Sequence, residues 1–244
     1  MKGAITLHLM LDHDGYLPAF GVITDGTVAD VTVAHQLLFD SGTVVVDDRG
    51  YNDYRLFARW TERGVYFVTR MKENACYEVI EERPIPQRRR ILTDQIIRLI
   101  GVGAEERCPH PLRRIEVDYP EKDEILVFLT NHLGFGASTV AAIYKDRWQI
   151  ELFFKALTQN LKIKTFVGTS ANAVKIQVWT ALIALLLLRY LQLKSRWAWS
   201  LSNLVALLRM NLFTYLDLWS WVHDPLGTLR QTEQLSQQQV LGIA

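Results

Sequence analysis

The sequence predicts an α/β protein: a mixed sheet with helices on its faces, interrupted by a β-rich insertion and followed by C-terminal helices. Three observations predict it. Residues 5–69 alternate strand-like and helix-like apolar patterns. Between about 74 and 122, Pro84, Pro86, Pro109, Pro111 and Pro120 punctuate short β-leaning runs. The stretch 144–162 then carries no proline or glycine, is rich in good helix formers, and is followed by two more helical patterns. The expected division is a first core segment over 1–73, the insertion over 74–123, the returning core with its helix over 124–170, a C-terminal helical segment over 171–227 and a tail over 228–244.

Taken in order, residues 5–11 read as a strand, and Asp14-Gly15 is a strong tight-turn signal. The returning strand covers 19–24, and a helix follows over 31–39. Residues 43–46 are uniformly β-branched, the pattern of a strand buried on both faces. That strand ends in Asp47-Asp48-Arg49-Gly50-Tyr51. An amphipathic helix over 54–63 leads to a strand over 65–69. In the insertion, 76–80, 91–99 and 113–117 read as strands. Its Arg88-Arg89-Arg90 and Arg113-Arg114 clusters suit a solvated face or phosphate contacts. A strand resumes over 125–129, Gly134-Phe135-Gly136 turns, and Ser138 is placed to cap the long helix. Ser170 is placed to cap a helix over 173–193; a last helix covers 201–215 ahead of Trp219 and Trp221, and the tail is expected to fray.

Composition bounds the function. A net charge of +1 gives no global basic field, so any nucleic-acid surface must be local. Cys76 and Cys108 match no metal spacing and suit a reducing cytoplasm. The first residues lack the apolar run of a signal peptide. The apolar run at 176–188 falls short of the roughly 20 residues of a spanning helix, so it reads as a buried helix and no membrane partner is expected.

The chemistry concentrates in two places. On one helix, Tyr144, Arg147, Glu151, Lys155 and Thr158 share a sector of roughly 80°, while apolar residues cover much of the rest. A narrow polar stripe on a helix otherwise buried must face something particular. Upstream, Asp48 just past a strand end can point into a crevice while the strand fixes its backbone. Carboxylates from separate elements suit two magnesium ions, about 3.5–4 Å apart, in an in-line phosphodiester displacement. Arg147 suits bidentate phosphate contact, Lys155 a point-charge contact, and Tyr144 a hydroxyl contact.

Asp48-Arg49-Gly50-Tyr51 resembles the Asp-x-Gly-Tyr/Phe motif after the second catalytic aspartate of bacterial insertion-sequence transposases of the DDE, RNase-H-like class. Tyr144-x2-Arg147-x3-Glu151 is similar to the Tyr-Arg-Glu-Lys signature of one large branch of them. The similarity takes in residues 3–15, 47–72 and 147–213. It implies an RNase-H-like sheet and a cut-and-paste enzyme using Mg2+ or Mn2+. Water would hydrolyse the terminal phosphodiester, and the freed 3′-hydroxyl would attack DNA. The implied partners are the element's terminal inverted repeats and target DNA, with a homodimer as the active form in the bacterial cytoplasm, on the nucleoid when bound. Asp48 would be the second metal-binding acid and Glu151 the third, with Tyr144, Arg147 and Lys155 handling phosphate.

Two departures qualify the resemblance. The signature's lysine falls where this chain has Thr158, with Lys155 one turn away to cover for it in part. The family's first aspartate sits on a central strand before the segment that here begins at Lys2. Asp12 and Asp14 fall at the wrong sheet end, and Asp25 about three strands away, roughly 14 Å from Asp48. The resemblance therefore implies an N-terminally truncated, inactive transposase domain with two unpaired inner strand edges. The alternative is a non-catalytic DNA-binding remnant that binds ends or pairs with full-length transposase.

Overall fold

The computed structural model describes residues 4–85, 90–121, 123–160, 168 and 170–227, forming two compact units, 1–150 and 151–244. The Arg88-Arg89 part of the basic cluster and the tail from 228 lie outside the described residues.

The first unit opens with β1 (Ile5–Leu11) and β2 (Pro18–Asp25), an antiparallel hairpin. Its connection is longer than a two-residue turn. Asp12 N–H donates to the Leu17 carbonyl at 2.8 Å, and Gly15 takes a φ of +81°, the left-handed region that glycine enters without a steric penalty. The expected single sheet is not formed, because this hairpin stands as its own two-stranded sheet. The remaining strands are β3 (Val44–Val46), β4 (Tyr66–Arg70), β5 (Tyr77–Glu82), β6 (Ile91–Leu99), β7 (Leu112–Tyr119) and β8 (Glu124–Thr130). They form one six-stranded mixed sheet in the order β3-β4-β8-β7-β6-β5, with only β3 and β4 parallel.

Parallel pairing needs a crossover, supplied by α2 (Tyr54–Glu62). Asp53 caps this helix by accepting from Leu56 N–H at 2.9 Å, and Leu56, Phe57 and Trp60 form its buried side. Alternation along β4 sends Phe67 to one face and Val68 to the other. Phe67 stacks on Phe57 at 4.3 Å within the core beneath α2, which also holds Leu129, Ile97 and Leu99. Val68 joins Phe128, Ile115 and Val117 beneath α4 (Ala137–Asp146), whose Ala137, Val140 and Tyr144 complete the second core. Both faces of the sheet are thereby covered at its middle strands, while the edge strand β5 stays mostly exposed.

Several expectations change. Val44–Val46 is only half-buried, because β3 is an edge strand with a single neighbour. The helix expected over 31–39 is the five-residue α1 (Asp30–Ala34). Ser138 lies inside α4, where Gly136 holds the cap position without a side-chain bond. Arg113 and Arg114 are neither solvated nor open to phosphate. Arg113 is buried in a bidentate pair with Asp94, Nε to Oδ1 at 2.7 Å and Nη2 to Oδ2 at 2.6 Å, and also donates to the Phe135 carbonyl. Arg114 bonds Gln95 at 2.9 Å, pairs with Glu116 and lies over the Tyr77 ring. The helix predicted over 144–162 divides at Arg147, where i→i−3 bonds (Arg147 N to Tyr144 O, Ile150 N to Arg147 O) separate α4 from α5 (Trp148–Asn160).

The second unit holds α6 (Ala171–Lys194), α7 (Leu201–Asn211) and α8 (Leu218–His223), capped respectively by Ser170, Ser200 and Asp217. Trp199, Leu204, Trp221 and Val222 form its core, with Leu191 and Leu208 packed against them. The buried-helix expectation for α6 fails. One side, Val178, Leu182, Leu185 and Leu188, is buried, but a second apolar side is exposed. The helix is also long and apolar enough to cross a membrane.

Candidate active site

Asp48 leaves the end of β3 and caps the 3-10 turn Arg49–Tyr51, its Oδ1 accepting from Gly50 N–H at 2.6 Å. A Cβ on Gly50 would lie 2.9 Å from that oxygen, so the absent side chain is what lets the carboxylate fold over its own turn. Behind it, Thr69 Oγ1 lies 3.2 Å from the Asp48 carbonyl and 3.0 Å from Asn52 Oδ1. Asn52 donates to the Arg70 carbonyl at 2.8 Å, and Lys72 Nζ donates to the Asn52 carbonyl at 3.1 Å. The turn that carries Asp48 is thus fixed to β4, while the Asp48 side chain remains exposed.

Asp47 is its opposite. It is 8% exposed, and neither carboxylate oxygen has a hydrogen-bond partner. Burial pushes its carboxyl up to about 7; the nearby Thr69 hydroxyl opposes the rise and the Asp48 charge adds to it. Tyr51 is pushed up to about 12, first by burial and then by Asp30, Asp48 and Asp47. Asp30 in turn lies 2.9 Å from the buried His8 imidazole of β1.

Tyr144 is buried on α4, with its ring 4.7 Å from Phe128. Arg147 sits over that ring at 5.6 Å. Burial raises the Tyr144 hydroxyl; Arg147 and Arg70 pull it down, partly through a hydrogen bond from Arg147, and the Asp48 charge adds to the rise. Asp48, Tyr144, Arg147 and Arg70 therefore share one electrostatic neighbourhood within the first unit. Arg70 is also held by Glu124 at 2.5 Å.

A scan of known families matches residues 2–187 to the transposase DDE domain. The chain belongs to this family. It is 36% identical over 187 residues to y4zB of Sinorhizobium fredii, a protein named as a transposase, covering 75% of this chain and 52% of that one. It is 30% identical over 194 residues to a protein of Geobacillus stearothermophilus named as the transposase of element IS5377, covering 78% and 50%. A Synechocystis protein named as the transposase of element IS4SA is 28% identical over 151 residues, covering 61% and 41%. The chain spans about half the length of the curated relatives it matches.

For a DDE transposase domain, the remaining sequence-predicted residues lie on α5. Glu151 is in its first turn and half-buried, and Lys155 is exposed. Thr158, in the place of the signature lysine, turns its hydroxyl back onto its own helix, donating to the Phe154 carbonyl at 2.8 Å. Asp48, Tyr144 and Arg147 belong to the first unit, Glu151 and Lys155 to the second. DDE transposases use divalent metal ions. The hard carboxylate oxygens of Asp48 at a strand end fit such an ion, but among the described residues no three His, Cys, Asp or Glu side chains converge as a ligand set. Arg70 is the neighbour that the motifs did not reveal. Its one signal is its place at the open end of the strand beside β3, two residues after the buried Val68 on the same strand face.

Proposed function

We propose that this chain is part of the catalytic domain of an insertion-sequence transposase with an RNase-H-like core, acting on the phosphodiester backbone of DNA. One observation carries the reading: Arg147 lies over the Tyr144 ring, Tyr144 packs on Phe128, and Phe128 pairs with Arg70, whose neighbour Thr69 meets the turn of the strand-end carboxylate Asp48. Arg147 and Arg70 would meet the phosphate oxygens and Tyr144 would orient the scissile group. Lys155, exposed on α5, would add a point-charge contact to the backbone. Asp48 and Glu151 would hold Mg2+ or Mn2+, which when bound supplies charge neutralisation at the attacked phosphate. The partners on this reading are the element's inverted repeats and target DNA, with a homodimer as the working form.

A second reading is a chain that binds DNA without cutting it. Both are tested on labelled duplexes bearing the inverted repeats that flank the coding sequence. Arg147→Ala is expected to weaken binding and lower the salt slope by about one. Asp48→Asn is expected to leave binding in place and to abolish any Mn2+-dependent nicking that the unsubstituted chain supports. Binding without nicking in the unsubstituted chain selects the second reading, and binding indifferent to Arg147 overturns both.

A further inference from the structure

The exposed side of α6 has a repeat of its own. Ile176, Trp179, Ile183, Leu186, Tyr190 and Leu193 are all exposed, between 36% and 64%, and their spacing runs 3, 4, 3, 4, 3. This is the 3.5-residue period of a helix–helix seam, with positions 176, 183 and 190 as a and 179, 186 and 193 as d. Leu187, also exposed at 60%, borders it. The opposite side of α6 is already occupied: Val178, Leu182, Leu185 and Leu188 are buried, and the helix contacts α7. The helix therefore presents two apolar sides, one packed and one open apart from Tyr190, whose ring meets Trp219 of α8 edge-on at 6.3 Å, and the open one is patterned for another helix.

Charge says which helix. The residues bordering the seam at the flanking e and g positions include Lys175, Arg189 and Lys194, and α6 contains no aspartate or glutamate. Pairing with a second copy would set cation against cation in either direction. In a parallel pair Arg189 would face the other copy's Lys194, and in an antiparallel pair Lys175 would face its Arg189. We propose that the open side of α6 is a docking surface for an amphipathic helix with an apolar 3-4 repeat and glutamate or aspartate on both flanks of that repeat. Lipid would ask for no such period, and a self-pair would ask for charges of both signs.

The test uses the full chain and two labelled three-heptad peptides. Both have Ile at a and Leu at d; one has Glu at every e and g, the other Lys. The expected result is a dissociation constant at least tenfold lower for the acidic peptide, measured by fluorescence anisotropy. Ile183→Ser with Leu186→Ser should raise that constant at least tenfold with the circular dichroism spectrum unchanged. Reversing the border charges, Lys175→Glu with Lys194→Glu, should shift the preference towards the basic peptide, and this arm stands even if the serine variants misfold. Equal binding of the two peptides, or binding of neither, overturns the proposal. So does a chain that sediments as a dimer and becomes monomeric in the serine variants, or one that floats with phosphatidylglycerol vesicles without peptide preference.

Discussion

Asp94 and Asp47 are both aspartates buried in the first unit, and the chain treats them in opposite ways. Asp94 meets Arg113 through two short, parallel bonds, and Arg113 spends a further donor on the Phe135 carbonyl. Asp47 is nearly as deeply placed and has no hydrogen bond at either oxygen. The first arrangement ties β6 and β7 to the loop that leads into α4, and it is a device of the fold. The second sits beside Asp48, the exposed strand-end carboxylate to which the proposed function assigns metal binding. A buried carboxylate without a partner costs free energy, and such costs gather where function sets the geometry. The difference separates what holds the sheet together from what the sheet is built to present.

The largest expected effect would break the Asp94 side of the comparison. Arg113→Met leaves Asp94 buried without its partner and should cost about 3–5 kcal/mol in urea denaturation. Adding Asp94→Leu should recover most of that loss, because the burial cost of both charges is then gone. A single variant that loses under 1 kcal/mol would show that the pair carries little of the sheet's cohesion.

Asp47→Asn should move stability the other way, with a pH signature. The carboxyl of Asp47 lies at about 7 in the folded chain against its ordinary 3.8, so the folded state holds a proton that the unfolded state releases first. Its penalty is absent below pH 4, grows as pH rises through the interval, and is complete above about 7. At roughly 1.4 kcal/mol per tenfold, the full penalty is a few kcal/mol. Measured in chelator, the variant should match the parent near pH 4 and exceed it by that order at pH 8. A difference independent of pH would remove Asp47 from the account.

How much of this was legible beforehand depended on whether the signal was local. The strands at 5–11 and 91–99 read correctly because their own side chains carry the pattern. The place of Asp48 just past a strand end also follows from the local run that precedes it. Arg113 read as surface because its partner lies 19 residues away on a neighbouring strand. Three valines at 44–46 read as buried, but an edge position is a property of the sheet and not of the run. The break at Arg147 carries no proline or glycine to announce it. Both sides of α6 are apolar, so hydropathy along the helix does not say which one its neighbours cover.

The smallest expected effect on stability sharpens the comparison most, because it acts on presentation alone. In Gly50→Ala the new Cβ would stand 2.9 Å from Asp48 Oδ1, closer than real contacts allow. The backbone at Gly50 needs no left-handed conformation, and the obstructing atom is the end of a side chain. The fold can therefore answer by swinging the carboxylate off the Gly50 amide. That loses one charge-assisted bond at an exposed turn, about 1 kcal/mol. The same movement takes Asp48 away from the position its turn fixes, so Mn2+-induced broadening of amide signals from residues 47–51 should fall severalfold while stability falls by no more than that. Should stability fall well beyond that one bond, the glycine serves the fold; should the broadening fall with no more than that loss, it serves the carboxylate at the strand end.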